Sequence, residues 1–123
     1  MCLKFDQKAT NDFRTKNVEN DKIVVWKVIK KRGGDYYAPL RRNIIPRTGI
    51  YKSNRYYLEL SEEELYFNEI SLGIHVFFRK EDAEEYGMKY ASAIRCHASI
   101  KDFLGTDETQ EKAVFTQITI LEQ

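Results

Sequence analysis

Basic and tyrosine side chains alternate through the middle of this chain, and their chemistry suits an anionic ligand. Between Lys27 and Arg55 the only acidic residue is Asp35. Guanidinium groups form bidentate hydrogen bonds with phosphates and carboxylates, and tyrosine rings stack on bases. The alternative is a solvated loop whose arginines pair with the glutamates at 62–64. The residues predicted to bind the anion are Arg32, Tyr36, Tyr37, Arg41, Arg42, Arg47, Tyr51, Arg55 and, from a later strand, His75.

The charge of the chain is divided unequally between its halves. Residues 1–60 carry fourteen Lys and Arg against six Asp and Glu, whereas residues 61–123 carry six against thirteen. The halves therefore differ in sign, although the whole chain has a net charge of +1. Such asymmetry can mark a surface for a polyanion. It can equally reflect two halves that pack together and neutralise each other.

The histidines and cysteines show no pattern typical of a catalytic or metal site. His75 lies in an apolar strand, as either a satisfied core residue or a donor to a ligand in a pocket opened by Gly73. Cys96 and His97 are adjacent on a strand, so their side chains point to opposite faces. The spacings of a zinc site are missing. Cys2 would be an N-terminal nucleophile only after loss of the initiator methionine. We expect no metal, no cofactor and no catalytic constellation.

The segment that positions His75 is the most strongly patterned part of the sequence. Alternating apolar residues over 72–78 predict a buried strand, and Gly73 predicts a bend or a close approach of another backbone. Acidic residues crowd the next turn, where negative charge suits the start of a helix. Apolar residues recur at helical spacing from Ala83 onward. We therefore predict one main helix over about 80–91.

Ahead of this unit, the sequence predicts a central strand, a hairpin and a loop. Residues 23–29 are apolar on both faces, with Lys27 as an exception expected near the edge of the covered area. Glycines 33 and 34 predict a hairpin whose return strand begins at Tyr36. Residues 41–54 are predicted to form a long ordered loop with a strand around 50–51. Ser-x-x-Glu at 61–64 has the spacing of a capping box, and 65–70 fits a helix or a strand.

The remaining segments complete the predicted fold. Residues 93–101 alternate as a half-exposed strand, 104–107 are predicted as a turn, and 113–121 as one final strand. The first twenty residues are expected to be an arm that is loosely held or docked by Phe5 and Phe13. The fold class is therefore α+β, a mostly antiparallel or mixed sheet packed with one main helix.

The totals indicate one soluble domain over residues 1–123. Hydrophobic residues make up 42% and charged residues 32%, as in an ordinary globular chain. No apolar run approaches the length of a membrane span. Two cysteines are too few for a disulfide framework, which favours a reduced, cytoplasmic protein. Exposed strand edges would permit a homodimer.

Short motifs give the chain two resemblances. The chain resembles a group of uncharacterised short bacterial and phage proteins in four motifs. These are Met-Cys-Leu at 1–3, Asp-x-Ile-x-Val-x-Lys-Val at 21–28, Tyr-x-x-Pro at 36–39, and Gly-x-His-x-Phe leading into Glu-Asp-Ala at 73–83. The strand at 73–77 and its helix are also similar, more faintly, to ADP-ribosyltransferase-type folds. Those enzymes need a late-strand glutamate and a first-strand arginine or histidine, where this chain offers Glu122 and Lys27.

Together these features predict a non-catalytic binding protein, and the resemblance to short phage proteins implies that it could be an inhibitor of host defence. Its basic, tyrosine-rich middle would engage a nucleotide, a nucleic acid or an acidic protein surface. One alternative, implied by the second resemblance, is a small nucleotide-acting enzyme that uses His75. Another is a protein–protein inhibitor whose acidic stretch over 62–85 mimics nucleic acid. No membrane partner is expected.

Overall fold

A computed structural model describes residues 3–38, 44–87 and 91–123. Its helices are α1 Gln7–Lys16, α2 Glu62–Phe67 and α3 Lys80–Gly87. Its strands are β1 Leu3–Lys4, β2 Ile23–Arg32, β3 Asp35–Tyr37, β4 Ile44–Ile45, β5 Gly49–Lys52, β6 Glu69–Ile70, β7 Ile74–Phe77, β8 Ser92–Ala98, β9 Phe103–Thr106, β10 Lys112–Phe115 and β11 Gln117–Ile120. Every pairing of these strands is antiparallel. The predicted α+β class is confirmed, with three helices where one main helix was expected. None of the three is long and apolar enough to cross a membrane.

Strand β2 lies at the centre of the main sheet, as its apolar faces predicted. The strand order is β5-β11-β8-β2-β7-β10-β9, and β3 and β4 extend the sheet from β2. On one side β2 pairs with β8 over seven residues. On the other side its ladder with β7 consists of one pair, Trp26 with Phe77. Beyond that pair β2 and β7 form no further ladder, which leaves a gap between the two strands.

The N-terminal segment is docked against the sheet. The Asp6 carboxylate accepts a hydrogen bond from the Ala9 amide and caps α1. Phe5 and Phe13 are both buried, and the Phe13 ring lies 4.7 Å from that of Phe103 between centroids. Of the two arrangements left open for this arm, the structure therefore shows docking by the two rings. The sequence did not predict a helix here because α1 buries so few apolar side chains.

Two local signals in the middle of the chain are confirmed. Gly33 and Gly34 have φ values of +58° and +87° and form the predicted hairpin between β2 and β3. Ser61 and Glu64 form both hydrogen bonds of the predicted capping box, so α2 begins where the pattern placed it. The alternative of one strand over 65–70 is wrong, since the helix continues to Phe67 and only the short β6 follows.

The predicted turn at 104–107 and the single strand at 113–121 are both wrong. Residues of β9 are buried throughout, and the turn lies later, where the Asp107 carboxylate accepts hydrogen bonds from the amides of Glu111 and Lys112. The final segment forms two strands, β10 and β11, separated at Thr116, whose amide donates to Asp102. As a result Val114 packs in a smaller cluster with Leu104, apart from Ile118 in the main core.

Candidate functional site

A cavity of about 250 Å³ lies beside the place where the β2–β7 ladder ends. Strand β2 contributes Lys27 and Val28, β7 contributes Ile74 and His75, and α3 contributes Tyr86. The cavity volume lies just below the usual range of ligand pockets, and its mixture of apolar walls and a few polar groups is typical of a ligand site. Its other lining residues are Ala38, Tyr51, Lys52, Ser53, Asn54, Arg55, Tyr57, Ser71, Leu72, Gly73 and Phe77.

Lys27 places an ammonium group at this cavity, which the exposed Lys52 and the buried Arg55 also line. Its Nζ donates a hydrogen bond to the backbone oxygen of His75 at 3.1 Å, across the gap between β2 and β7. Burial lowers the pKa of Lys27 from 10.5 to about 8, although the nearby Cys96 thiol opposes this. Within the described residues no carboxylate forms an ion pair with Lys27. The sequence placed this lysine near the edge of the covered area, whereas it lines a cavity next to the central strand.

His75 lines the same cavity and is bonded to its own chain. Its Nε2 lies 3.1 Å from the Ile70 oxygen, and because a carbonyl oxygen only accepts, Nε2 carries the proton. Burial lowers the pKa of His75 from 6.5 to about 4, and the positive charge of Lys27 adds to the effect. The imidazole is therefore neutral near pH 7. Of the two arrangements left open by the sequence, the structure shows the satisfied residue, since Nε2 is bonded to Ile70; donation from His75 to a ligand stays a prediction, although the residue lines the cavity.

Gly73 allows the segment before β7 to approach the sheet closely. Its φ is +134°, and a Cβ there would overlap Cγ1 of Val114 and lie 3.1 Å from Cδ1 of Leu104. Of the bend and the close backbone approach predicted for Gly73, the approach is confirmed, because the backbone oxygen of Phe115 would lie 3.3 Å from the same Cβ. Gly73 lines the cavity beside His75.

The structure brings three of the predicted ligand-binding residues to the cavity, namely Tyr51, Arg55 and His75. Arg55, however, is internally engaged. Its side chain is 1% exposed, and its Nη1 lies 2.6 Å from Oε2 of Glu64. For this residue the alternative of pairing with the glutamates at 62–64 is the arrangement observed. Arg55 can therefore shape the wall, but its guanidinium is already occupied.

The other described candidates lie on the β2–β3 hairpin and beside it. Tyr36 is buried, and Lys31 Nζ and Arg47 Cζ each lie 5.9 Å from its ring centroid. Arg32 is exposed and pairs in register with Asp35, while Tyr37 is partly buried. These residues form a basic hairpin surface separate from the cavity lining. The predicted Arg41 and Arg42 lie outside the described residues.

The residues predicted to bind the anion did not include three that line the cavity, namely Lys27, Lys52 and Tyr57. A signal for Lys27 was present, because a lysine in a strand with two apolar faces needs either solvent or a polar partner. Among residues 3–38, 44–87 and 91–123, no three His, Cys, Asp or Glu side chains are grouped to hold a metal ion.

Comparisons with known proteins add no name to this site. The resemblances to short bacterial and phage proteins and to ADP-ribosyltransferase-type folds remain predictions. No family model, no curated protein and no solved structure matches this chain.

Proposed function

We propose that this protein is a non-catalytic binding protein that holds a small organic anion in the cavity beside Lys27. The observation that carries the proposal is a partly buried ammonium group without a carboxylate partner in the described part of the chain. Removing a charge from water is costly unless an opposite charge compensates. A phosphate or carboxylate bound next to Lys27 Nζ would supply that compensation.

The rest of the lining supports an anion that also carries a ring. Tyr51 and Tyr57 provide aromatic surface, and Lys52 adds a second, exposed cation. The basic hairpin surface around Arg47 would raise the local concentration of anions before they enter. A mononucleotide combines these features, and a protein that sequesters one in the cytoplasm would suit the predicted role of a phage-type inhibitor of host defence.

The proposal is tested by calorimetric titration with adenosine monophosphate, with adenosine as the neutral ligand of the same ring. We expect the monophosphate to bind and adenosine to bind at least about ten-fold more weakly, because a charged hydrogen bond contributes about 1.5–3 kcal/mol. Lys27→Met should abolish the difference. Lys101→Met, which removes an exposed lysine absent from the cavity lining, is the control and should bind like the wild type.

Two results would contradict the proposal. Equal affinities for adenosine and its monophosphate would exclude a charge-based site. Unchanged binding in Lys27→Met would move any anion site away from the cavity, most directly to the basic hairpin surface. An Arg32→Ala/Arg47→Ala variant would then test that surface.

The nucleotide-acting enzyme is the second candidate, because a neutral His75 lines the cavity with Tyr51. A neutral imidazole can accept a proton from a reacting group. Mass spectrometry of nucleotides incubated with the protein would detect turnover. Product formed by the wild type but not by His75→Ala would replace the binding proposal with an enzymatic one.

A further inference from the structure

A second groove, of about 230 Å³, shares Tyr57, Ser71 and Leu72 with the cavity. We call it the aromatic groove, and its other lining residues are Ser61, Glu63, Glu64, Phe67 and Glu69. Apolar side chains and carboxylates line it together. This composition differs from that of the cavity, where lysines provide the charge.

Aromatic side chains of the groove lining, and of the residues next to them in the sequence, are open to solvent. Tyr56 is 90% exposed, Tyr66 80% and Phe67 63%. The Tyr66 and Phe67 rings pack edge to face with centroids 4.9 Å apart, and α2 buries none of its side chains. Clustered exposed rings of this kind are typical of protein-binding surfaces, where Tyr is enriched among the residues that dominate affinity.

The aromatic groove is held in shape before any partner arrives. Arg55 donates hydrogen bonds to the backbone oxygens of Tyr57, Glu59 and Leu72 and to the Glu64 carboxylate. The irregular segment before α2 is thereby tied to the helix and to the chain entering β7. A partner would therefore lose less free energy to ordering this surface on binding.

The charge around the aromatic groove selects the partner. Residues 56–78 contain five glutamates and no lysine or arginine. Glu64 is neutralised by Arg55, whereas Glu63 and Glu69 form no ion pair with any described residue. Nucleic acid would be repelled here. A cation between a ring and a carboxylate would be attracted twice, by the π face and by the charge.

The chain already shows this mode of recognition with its own arginine. Arg55 Cζ lies 4.7 Å from the Tyr57 ring centroid, while its guanidinium pairs with Glu64. We propose that the aromatic groove binds an arginine-rich segment of a partner protein, with one guanidinium placed against Phe67 and paired with Glu63 or Glu69. This interaction does not depend on the anion site beside Lys27.

The test uses a fluorescently labelled nona-arginine peptide and the full chain, with binding followed by anisotropy. We expect Phe67→Ala to weaken binding about five-fold or more, because it removes the cation–π contact and the ring that the bound peptide would cover. Glu63→Gln/Glu69→Gln should weaken it at least as much, and added salt should reduce the wild-type affinity. All substituted side chains are exposed or partly exposed, so thermal unfolding should report intact folds.

Matched variants separate the aromatic groove from general charge attraction and from the anion site. Glu108→Gln/Glu111→Gln removes two exposed carboxylates outside the groove lining and should change the affinity less than two-fold, a margin of about 0.4 kcal/mol. Lys27→Met should leave peptide binding unchanged even if it abolishes anion binding.

Three outcomes would overturn the proposal. One is the absence of peptide binding, and another is an equal loss in the groove and control variants, which would mean diffuse attraction. The third is concentration-dependent self-association of the free protein, seen by sedimentation and lost in Phe67→Ala, because the aromatic groove would then be covered by a second copy of the chain.

Discussion

Arg55 and Glu64 form a nearly solvent-free ion pair, with Nη1 2.6 Å from Oε2 and side-chain exposures of 1% and 13%. The same guanidinium donates to the backbone oxygens of Tyr57, Glu59 and Leu72. One cation therefore joins α2, the irregular segment before it and the chain entering β7. Because Tyr57 and Leu72 line both the cavity and the aromatic groove, the pair supports the wall between them.

Removing Glu64 should destabilise the protein strongly. Glu64→Ala leaves the buried Arg55 without a counter-ion, so we expect the free energy of unfolding to fall by about 3–5 kcal/mol, as when one partner of a buried pair is removed. Urea denaturation monitored by circular dichroism measures the change. The control is Glu62→Ala, an exposed neighbour in the same helical turn, which should change stability by less than about 0.5 kcal/mol. Similar losses in both variants would show that the pair contributes little.

Replacing Lys27, in contrast, should stabilise the protein. In the free protein, burial of the ammonium group is uncompensated by a described carboxylate, so Lys27→Met should raise the free energy of unfolding by about 1–3 kcal/mol at pH 7. The same substitution should abolish the proposed anion binding. A variant that gains stability and loses binding is expected when a residue is kept for function although its burial destabilises the fold. A destabilised Lys27→Met would indicate that the Nζ bond to His75 outweighs the cost of burial.

The advantage of Lys27→Met should depend on pH in a defined direction. The pKa of Lys27 falls from 10.5 to about 8 on folding, mainly through burial. Below pH 8 Lys27 is protonated in both the folded and the unfolded state, so the folded wild type carries the full free-energy cost of burying the ammonium group. Between pH 8 and 10.5 the folded state loses its proton first, so wild-type stability rises with pH. The two proteins should therefore converge in stability near pH 10.5, and a constant difference across this range would contradict the assignment.

The sequence predicted those elements whose signals are local. Two glycines adjacent in sequence specify the β2–β3 hairpin, and Ser61 and Glu64 form a cap within four residues. The strand at 74–77 and the start of α3 were recognisable because a period-two pattern changes to acidic and then helical spacing. Each of these features depends on neighbours along the chain, so no tertiary knowledge was needed.

What the sequence left undetermined depends on distant contacts. The burial of Arg55 follows from its contacts with Glu64 and Leu72, and nothing at position 55 distinguishes it from the exposed Arg47. The position of Lys27 follows from a ladder between β2 and β7 that ends after one pair. The predicted site therefore mixed residues of the hairpin with residues of the cavity, since basic composition does not separate inward from outward side chains.

Gly73 should tolerate substitution less well than another glycine of positive φ. Gly73→Ala combines backbone strain with overlap against Val114 and Leu104, and we expect a loss of about 3–5 kcal/mol. The control is Gly49→Ala, where φ is +95° but a Cβ meets nothing within 4 Å. Strain alone should cost about 1–2 kcal/mol there. Thermal and urea unfolding of both variants would measure the difference, and equal losses would mean that the sheet accommodates the methyl group.

His75 should make the protein lose stability in mild acid. The pKa of His75 falls from 6.5 to about 4 on folding, through burial and the charge of Lys27. Between these values the unfolded chain takes up a proton that the folded chain refuses, so stability decreases as pH falls from 6.5 to 4. Because the imidazole is only partly buried, we expect a total decrease of about 1–3 kcal/mol.

The slope of stability against pH, rather than stability itself, identifies His75 as the group responsible. Glu64, whose carboxylate is disfavoured by burial but held ionised by Arg55 and Ser61, has a pKa lowered from 4.5, so its contribution begins to be lost only below about pH 4.5, at the acidic end of this range. His75→Asn should therefore flatten the curve between pH 6.5 and 4 whatever its effect at pH 7. His97→Asn, which removes the other histidine of the chain, is the matched control. If both variants kept the wild-type slope, His75 would be able to take up a proton in the folded state. Its imidazole would then be more hydrated than its hydrogen bond to Ile70 implies.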